Sequence, residues 1–242
     1  MDKTRVAVVI PVYNHEGKVA QVIREALSLP FPLFVVDDGS TDGTYDRIKG
    51  IPSITIIRHE TNRGKGAAIL NGFAAAVPRS DWVITLDADG QHHPEHAWNL
   101  IGAVPPGERP IVVGHRTGMD QRHVPWTSRF GRVFSNFWVR SSGGPKIKDT
   151  QSGFRLYPLP EAMELNVKAR RFQFEVEVLV RAKWRGMPVL ETPVPVTYLP
   201  DEERVSHYRG FVDFFRNAGT FSRLIFMRLF VLPFTKRANK NY

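Results

Sequence analysis

Leu33-Phe34-Val35-Val36-Asp37-Asp38-Gly39-Ser40 decides how this chain folds. Four apolar residues without a polar break read as a strand buried on both faces, the pattern of a parallel sheet covered by helices. The run then stops on two carboxylates and a glycine. Polar residues at the C-terminal end of such a strand mark the edge where open α/β sheets bind ligands. Upstream, Val6-Ala7-Val8-Val9-Ile10 is a second β-branched run, followed by Val19, Val22, Ile23, Ala26 and Leu27 at helical spacing across Gly17 to Leu29. Downstream, the pattern predicts a helix over about Thr44 to Lys49, a strand over Ile54 to Arg58, and a helix to about Ala76 opened by Asn62-Arg63-Gly64-Lys65-Gly66. Strand Trp82-Val83-Ile84-Thr85-Leu86 ends on Asp87-Ala88-Asp89. Strands alternating with helices predict an α/β sandwich with a mostly parallel sheet.

The second half is less regular. It offers a strand at Ile111 to Gly114, a basic helical stretch from Thr127 to Arg140, and a helix from Phe174 to Trp184. An extended segment from Val189 to Tyr198 follows, then a last helical stretch from Gly210 to Val231.

A chain of 242 residues with 42% hydrophobic content can bury one full-sized core. We therefore expect one domain over residues 1–205 and a helical, membrane-associating segment with a basic tail over 206–242. No cysteine is present, which excludes a disulfide scaffold, a thiolate metal site and a cysteine nucleophile. The 33 lysines and arginines exceed the 24 acidic residues by nine, so an anionic partner is expected: nucleic acid, a membrane surface or a phosphorylated substrate. The apolar run Val6 to Val12 is too short for a signal peptide. No stretch reaches about 18 uninterrupted apolar residues, so no spanning helix is expected.

Asp87 and Asp89 carry the strongest chemical signal. Two carboxylates one residue apart, after a buried strand, can reach one hard divalent cation from a tight turn, with substrate phosphates completing its shell. Such a pair is also compatible with a solvated acidic turn. His92, His93 and His96 follow, but Pro94 more readily starts a helix after His93, so no H-x-x-x-H pair is fixed on one helix, and without a cysteine a zinc site has little support. At Asp37-Asp38-Gly39-Ser40-Thr41-Asp42 the residues fit a capped strand–helix junction or a carboxylate that binds a base or ribose. Gly64-Lys65-Gly66 fits a helix entrance or a cradle placing Lys65 and backbone N–H groups on a pyrophosphate. The P-loop pattern is absent.

Four segments in order carry a resemblance. Val9-Ile10-Pro11-Val12-Tyr13-Asn14, the Asp37–Thr44 segment, Asn62–Gly66 and Leu86-Asp87-Ala88-Asp89-Gly90-Gln91 together resemble the inverting family 2 glycosyltransferases, which have the GT-A-type, Rossmann-like α/β sandwich. Asp149-Thr150-Gln151-Ser152-Gly153-Phe154-Arg155 is similar to the branch that glycosylates dolichyl or polyprenyl phosphate. The likeness covers about residues 5–200. It implies a nucleotide-sugar donor of the GDP-mannose or UDP-glucose type, with Pro11, Tyr13 and Asn14 lining the base pocket and Asp38 on the base or ribose. Lys65, Asp87, Ala88 and Gln91 complete the donor site, and Asp87, Asp89 and Gln91 would hold Mg²⁺ or Mn²⁺. Asp89, Asp149, Gln151, Ser152 and Glu177 are the implied catalytic set. The Q-x-x-R-W signature of processive synthases is absent.

The acceptor divides the mechanism. A phosphate monoester presents an oxygen that is already anionic, whereas a hydroxyl on a lipid, polyene or glycan needs a carboxylate such as Asp149 to take its proton. Arg116, Arg129 and Arg132, with Ser135, are candidates for an acceptor-phosphate site through charge-assisted bonds. A solvated basic helix face is the alternative. We expect the enzyme in the cytoplasm, peripheral at the inner face of the membrane. Phe211 to Phe234 mixes aromatic and aliphatic residues with Arg216, Arg223 and Arg228, which suits a helix lying among lipid headgroups or packed on protein. A nucleic-acid binder is disfavoured by dispersed basic residues and the absence of a recognised motif. A nicotinamide oxidoreductase is disfavoured by the missing G-x-G-x-x-G.

Overall fold

The computed structural model describes residues 5–117, 126–197 and 210–232, and for 126–130 and 211–215 the backbone alone. Seven strands form one sheet: β1 (Val6–Val12), β2 (Leu33–Asp37), β3 (Ile54–Arg58), β4 (Trp82–Thr85), β5 (Ile111–Thr117), β6 (Arg155–Pro158) and β7 (Val189–Pro195). Their order is β3-β2-β1-β4-β6-β5-β7, parallel throughout except for β6, which runs against both neighbours. The helices are α1 (Val19–Ala26), α2 (Thr44–Ile48), α3 (Lys65–Ala76), α4 (Ala97–Gly102), α5 (Trp126–Ser141), α6 (Glu161–Glu164), α7 (Phe174–Trp184) and α8 (Gly210–Phe226). A π-helical stretch, Met227–Val231, extends α8.

Strand alternation sorts the core into two layers. Val6, Val8, Ile10 and Val12 of β1 pack with Val19, Val22 and Ile23 of α1 and Leu100 of α4. Ala7 and Val9 face the other way, onto Ala68, Ile69 and Phe73 of α3 and onto Phe174 and Val178 of α7. Burial on both faces is why these strands read as unbroken apolar runs. Strand order reverses between β1 and β4, so the carboxyl ends of β1, β2 and β4 open on a shared crevice.

One element differs from the sequence reading. β6 was not anticipated: it spans four residues, starts on an arginine and ends on a proline, so neither period nor length gives it away. α8 packs on α5 and α7 through Phe221 and Leu224, which join Val139, Val176 and Val180 in a third apolar cluster. Trp138 stacks on Phe221 with ring centroids 6.0 Å apart. Phe226, Leu229 and Phe230 remain more than half exposed beyond that contact. Among the described residues no helix is long and apolar enough to cross a membrane.

Candidate active site

The residues expected to meet the donor gather where β4 ends. Lys65, first residue of α3, lies 2.7 Å from Asp87 Oδ1 and 2.6 Å from Glu175 Oε1. Gly153 allows this closeness, because a Cβ there would run into the Asp87 carboxylate. Gly64 sets the angle at which the chain enters α3. Its φ of +98° suits glycine, and a Cβ would strike the Arg170 carbonyl. Burial disfavours the charged forms of Lys65 and Asp87, but their mutual attraction outweighs it, holding the lysine pKa up and the aspartate pKa down.

Asp89 behaves differently. Burial, reinforced by the charge of Asp87, pushes its pKa up to about 6. Its Oδ1 accepts the Gln91 N–H at 3.0 Å, which closes the turn, and Ala88 between the two carboxylates is buried. His92 follows, stacked on Phe154 with its Nδ1 lacking a partner, and burial lowers its pKa to about 4. Among the described residues no group of three or more His, Asp or Glu side chains can hold a cation unaided. The arrangement nevertheless fits a cation that brings its own oxygen ligands. Asp89 lies beside a second carboxylate in a poorly solvated turn, and positive charge there would relieve the repulsion that raises its pKa.

The rim at β1 and β2 is tightly self-bonded. Asn14 receives the Thr41 N–H at 2.8 Å and donates its own N–H to Ser40 Oγ at 3.0 Å, while Pro11 lies buried in β1 and Tyr13 half-buried after it. Asp38, expected on the base or ribose, has both oxygens engaged by protein. Oδ1 accepts from His59 Nδ1 (2.6 Å) and Arg63 N (2.8 Å), and Oδ2 accepts from Gly64 N (2.7 Å).

On the acceptor side, Arg116 meets Asp149. The guanidinium donates from Nε to Oδ2 at 2.7 Å and from Nη2 to Oδ1 at 3.0 Å, a two-point pair whose carboxylate is fully buried. Burial alone would raise the Asp149 pKa, but Arg116 and the Gln151 N–H hold it below the usual carboxylate range. Ser135 Oγ lies 2.8 Å from Thr150 Oγ1, and Asn136 also bonds Thr150, so α5 is fastened to the 149–152 loop. Arg132 is partly exposed on that helix, and Ser152 Oγ is buried without a partner. The side chain of Arg129 lies outside the described residues.

Glu177 is not brought to this cluster. It is fully buried, accepts from the amides of Lys168 and Ala169, and pairs with Arg181 at 2.6 Å and Arg223 at 2.5 Å. It therefore locks α7 to α8 and to the preceding loop. Glu175 is the carboxylate of that helix which reaches Lys65. The sequence reading also missed Arg155, which is wholly buried and donates to the carbonyls of Ser152, Glu175 and Thr150 at 2.6, 2.7 and 2.9 Å. It fixes the acceptor loop to the start of α7.

The family model described as glycosyl transferase family 2 matches residues 7–159. The polyprenol monophosphomannose synthase of Mycolicibacterium smegmatis is 32% identical over 219 residues, covering 85% of this chain and 82% of that protein. The UDP-N-acetylglucosamine–dolichyl-phosphate N-acetylglucosaminyltransferase of Methanococcus voltae is 28% identical over 212 residues, covering 78% and 84%. Among solved structures, S. aureus TarS 1–349 in complex with UDP has a TM-score of 0.58 at 18% identity. It matches 93% of this chain, which spans 65% of the TarS chain, and the likeness bears on the fold alone.

Proposed function

Because the chain belongs to glycosyl transferase family 2, we propose that it transfers a hexose, with inversion, from a nucleotide-sugar to a polyprenyl phosphate. The acceptor phosphate oxygen attacks the anomeric carbon. As that C–O bond forms, the bond from the anomeric carbon to the diphosphate breaks, and the nucleoside diphosphate departs. No proton has to be removed when the acceptor is a phosphate dianion.

The observation that carries this reading is the Arg116–Asp149 pair. Asp149 is the carboxylate that a hydroxyl acceptor would need as its base. Both its oxygens are held by one guanidinium, and its pKa is depressed, which makes it a weak base. With Asp149 committed in this way, the site suits a nucleophile that arrives already charged. The names of the M. smegmatis and M. voltae proteins point to the same acceptor class.

Lys65 faces the leaving diphosphate in this scheme, exchanging part of its contact with Asp87 and Glu175 for phosphate oxygens. Asp89, with Asp87 and Gln91 beside it, is the place for Mg²⁺ or Mn²⁺, which when bound neutralises charge on the leaving group as a Lewis acid. Arg132 and Arg129 on α5 supply the acceptor phosphate with positive charge. The polyprenyl tail stays in a bilayer, so the enzyme works at a membrane surface. Val133 and Phe137 of α5, Phe226 at the end of α8, and Leu229 and Phe230 just beyond it are exposed apolar side chains offered to it.

The test is incubation of the full chain with a polyprenyl phosphate, Mn²⁺ and a panel of GDP-mannose, UDP-glucose and UDP-N-acetylglucosamine. Accumulation of a lipid-linked sugar from one donor is expected. Donor consumption in none of the panel would overturn the reading.

A further inference from the structure

A buried polar relay runs behind the donor site and touches none of the residues assigned to substrate except Asp38. Asn71, on α3, donates from Nδ2 to His59 Nε2 at 2.8 Å. Since Nε2 accepts, the ring proton sits on Nδ1 and is donated to Asp38 Oδ1 at 2.6 Å. Asp38 in turn accepts the backbone N–H groups of Arg63 and Gly64. His59 is 6% exposed and Asp38 2%, so a carboxylate and an imidazole have been taken from water to make these bonds. The next residue is Lys65.

We propose that His59 and Asn71 are positioning residues for the donor diphosphate, acting through Asp38 and the 63–64 amides on Lys65. Three facts converge on it. Asp38 accepts three hydrogen bonds from the protein, two of them from backbone amides of one loop. The two amides it holds belong to the residues immediately before Lys65, so their orientation fixes where α3 begins. At the other end Gly64 is wedged against the Arg170 carbonyl, leaving the loop a single path into the helix. The relay thus aims the ammonium group that bridges Asp87 and Glu175, across the end of the sheet from where a base would bind. Asn71 adds a return bond from the second turn of the same helix, so the loop and α3 move as one body.

This inference rests on the nucleotide-sugar reading, and the experiment separates the two. Inhibition constants for a nucleoside diphosphate and for the matching nucleoside are measured in the full chain. The variants are His59→Phe, Asn71→Leu, Lys65→Met and the double variant His59→Phe/Lys65→Met. The relay predicts that His59→Phe and Asn71→Leu weaken the diphosphate about tenfold, the loss of one charge-assisted bond. The nucleoside constant and the acceptor KM stay unchanged. It also predicts that the double variant is no worse than Lys65→Met, because the histidine acts only through the lysine. Equal weakening of nucleoside and diphosphate would assign Asp38 to the base and overturn the proposal. So would additive losses, or a fall in kcat alone with every inhibition constant unchanged. If His59→Phe does not fold, Asn71→Leu, at a partly exposed position, carries the same comparison. Wild-type protein indifferent to every nucleoside diphosphate would remove the donor reading and the relay with it.

Discussion

The two sides of the crevice differ in how their charges balance. On the side proposed for the donor, Asp87 and Glu175 share the ammonium of Lys65 and Asp89 feels the charge of Asp87, so negative charge is left over. On the acceptor side Arg116 and Asp149 pair one to one and neutralise each other. The donor side is electrostatically unfinished and invites positive charge to arrive with the substrate. The acceptor side is finished in itself. In the proposed scheme that pair serves as a wall, and Arg132 and Arg129 of α5 are the residues proposed to meet an incoming phosphate.

The sharpest way to break that contrast is Asp89→Asn. Transfer should fall by about 10²–10³-fold, the scale for removing one electrostatic stabiliser of a leaving group. The same change should stabilise the metal-free protein. The folded pKa of about 6 lies above the ordinary 3.8, so metal-free stability falls as pH rises between those values and stays low above them. The asparagine, which never ionises, should be about 3 kcal/mol more stable at pH 7.5 by denaturant melt in EDTA, with no advantage at pH 3.5. An unchanged melt at pH 7.5 would mean that Asp89 is not under strain.

Arginine replacements sharpen the other side. Arg116→Ala leaves the buried Asp149 carboxylate without its partner and should cost about 3–5 kcal/mol of stability. Arg132→Ala should leave the melt within about 0.5 kcal/mol while raising acceptor KM roughly tenfold. Matching behaviour of the two variants, in melting and in KM, would dissolve the distinction between wall and ligand.

The smallest expected effect concerns the surface. Full-length protein should sediment with anionic vesicles, more weakly in high salt, and Phe226→Ser/Phe230→Ser should reduce that binding several-fold. Indifference of the wild type to vesicles at low salt would make the exposed end of α8 a protein contact.

The strand ends that line the crevice were legible in the sequence, and the reason is local. β1, β2 and β4 are buried on both faces and each stops abruptly, so Asp38 and Asp87 are located by neighbours within a few residues, and Lys65 by the glycines on either side of it. The acceptor half depends on pairs remote in sequence. Arg116 and Asp149 are 33 residues apart, and nothing near either reveals that one occupies the other. α7 shows the limit most clearly. Phe174 and Val178 enter one apolar cluster while Val176 and Val180 enter another, so the helix is buried around its circumference and offers no amphipathic face. Glu175 and Glu177 lie about 200° apart on it at roughly 100° per residue. Only the tertiary packing decides that Glu175 meets Lys65 and Glu177 meets Arg223. Arg155 was passed over because a buried guanidinium bonded to carbonyls leaves no mark in the pattern beyond one charged residue at a strand start.

The acceptor itself tests the account most directly. The full chain, with its preferred nucleotide-sugar, is offered a polyprenyl phosphate and the matching polyprenol in one mixture, and the lipid products are resolved by mass spectrometry. The Arg116–Asp149 geometry predicts sugar on the phosphate alone, the free alcohol remaining unglycosylated even at alkaline pH. Sugar on the polyprenol hydroxyl, with the phosphate untouched, would contradict it and return Asp149 to the role of base.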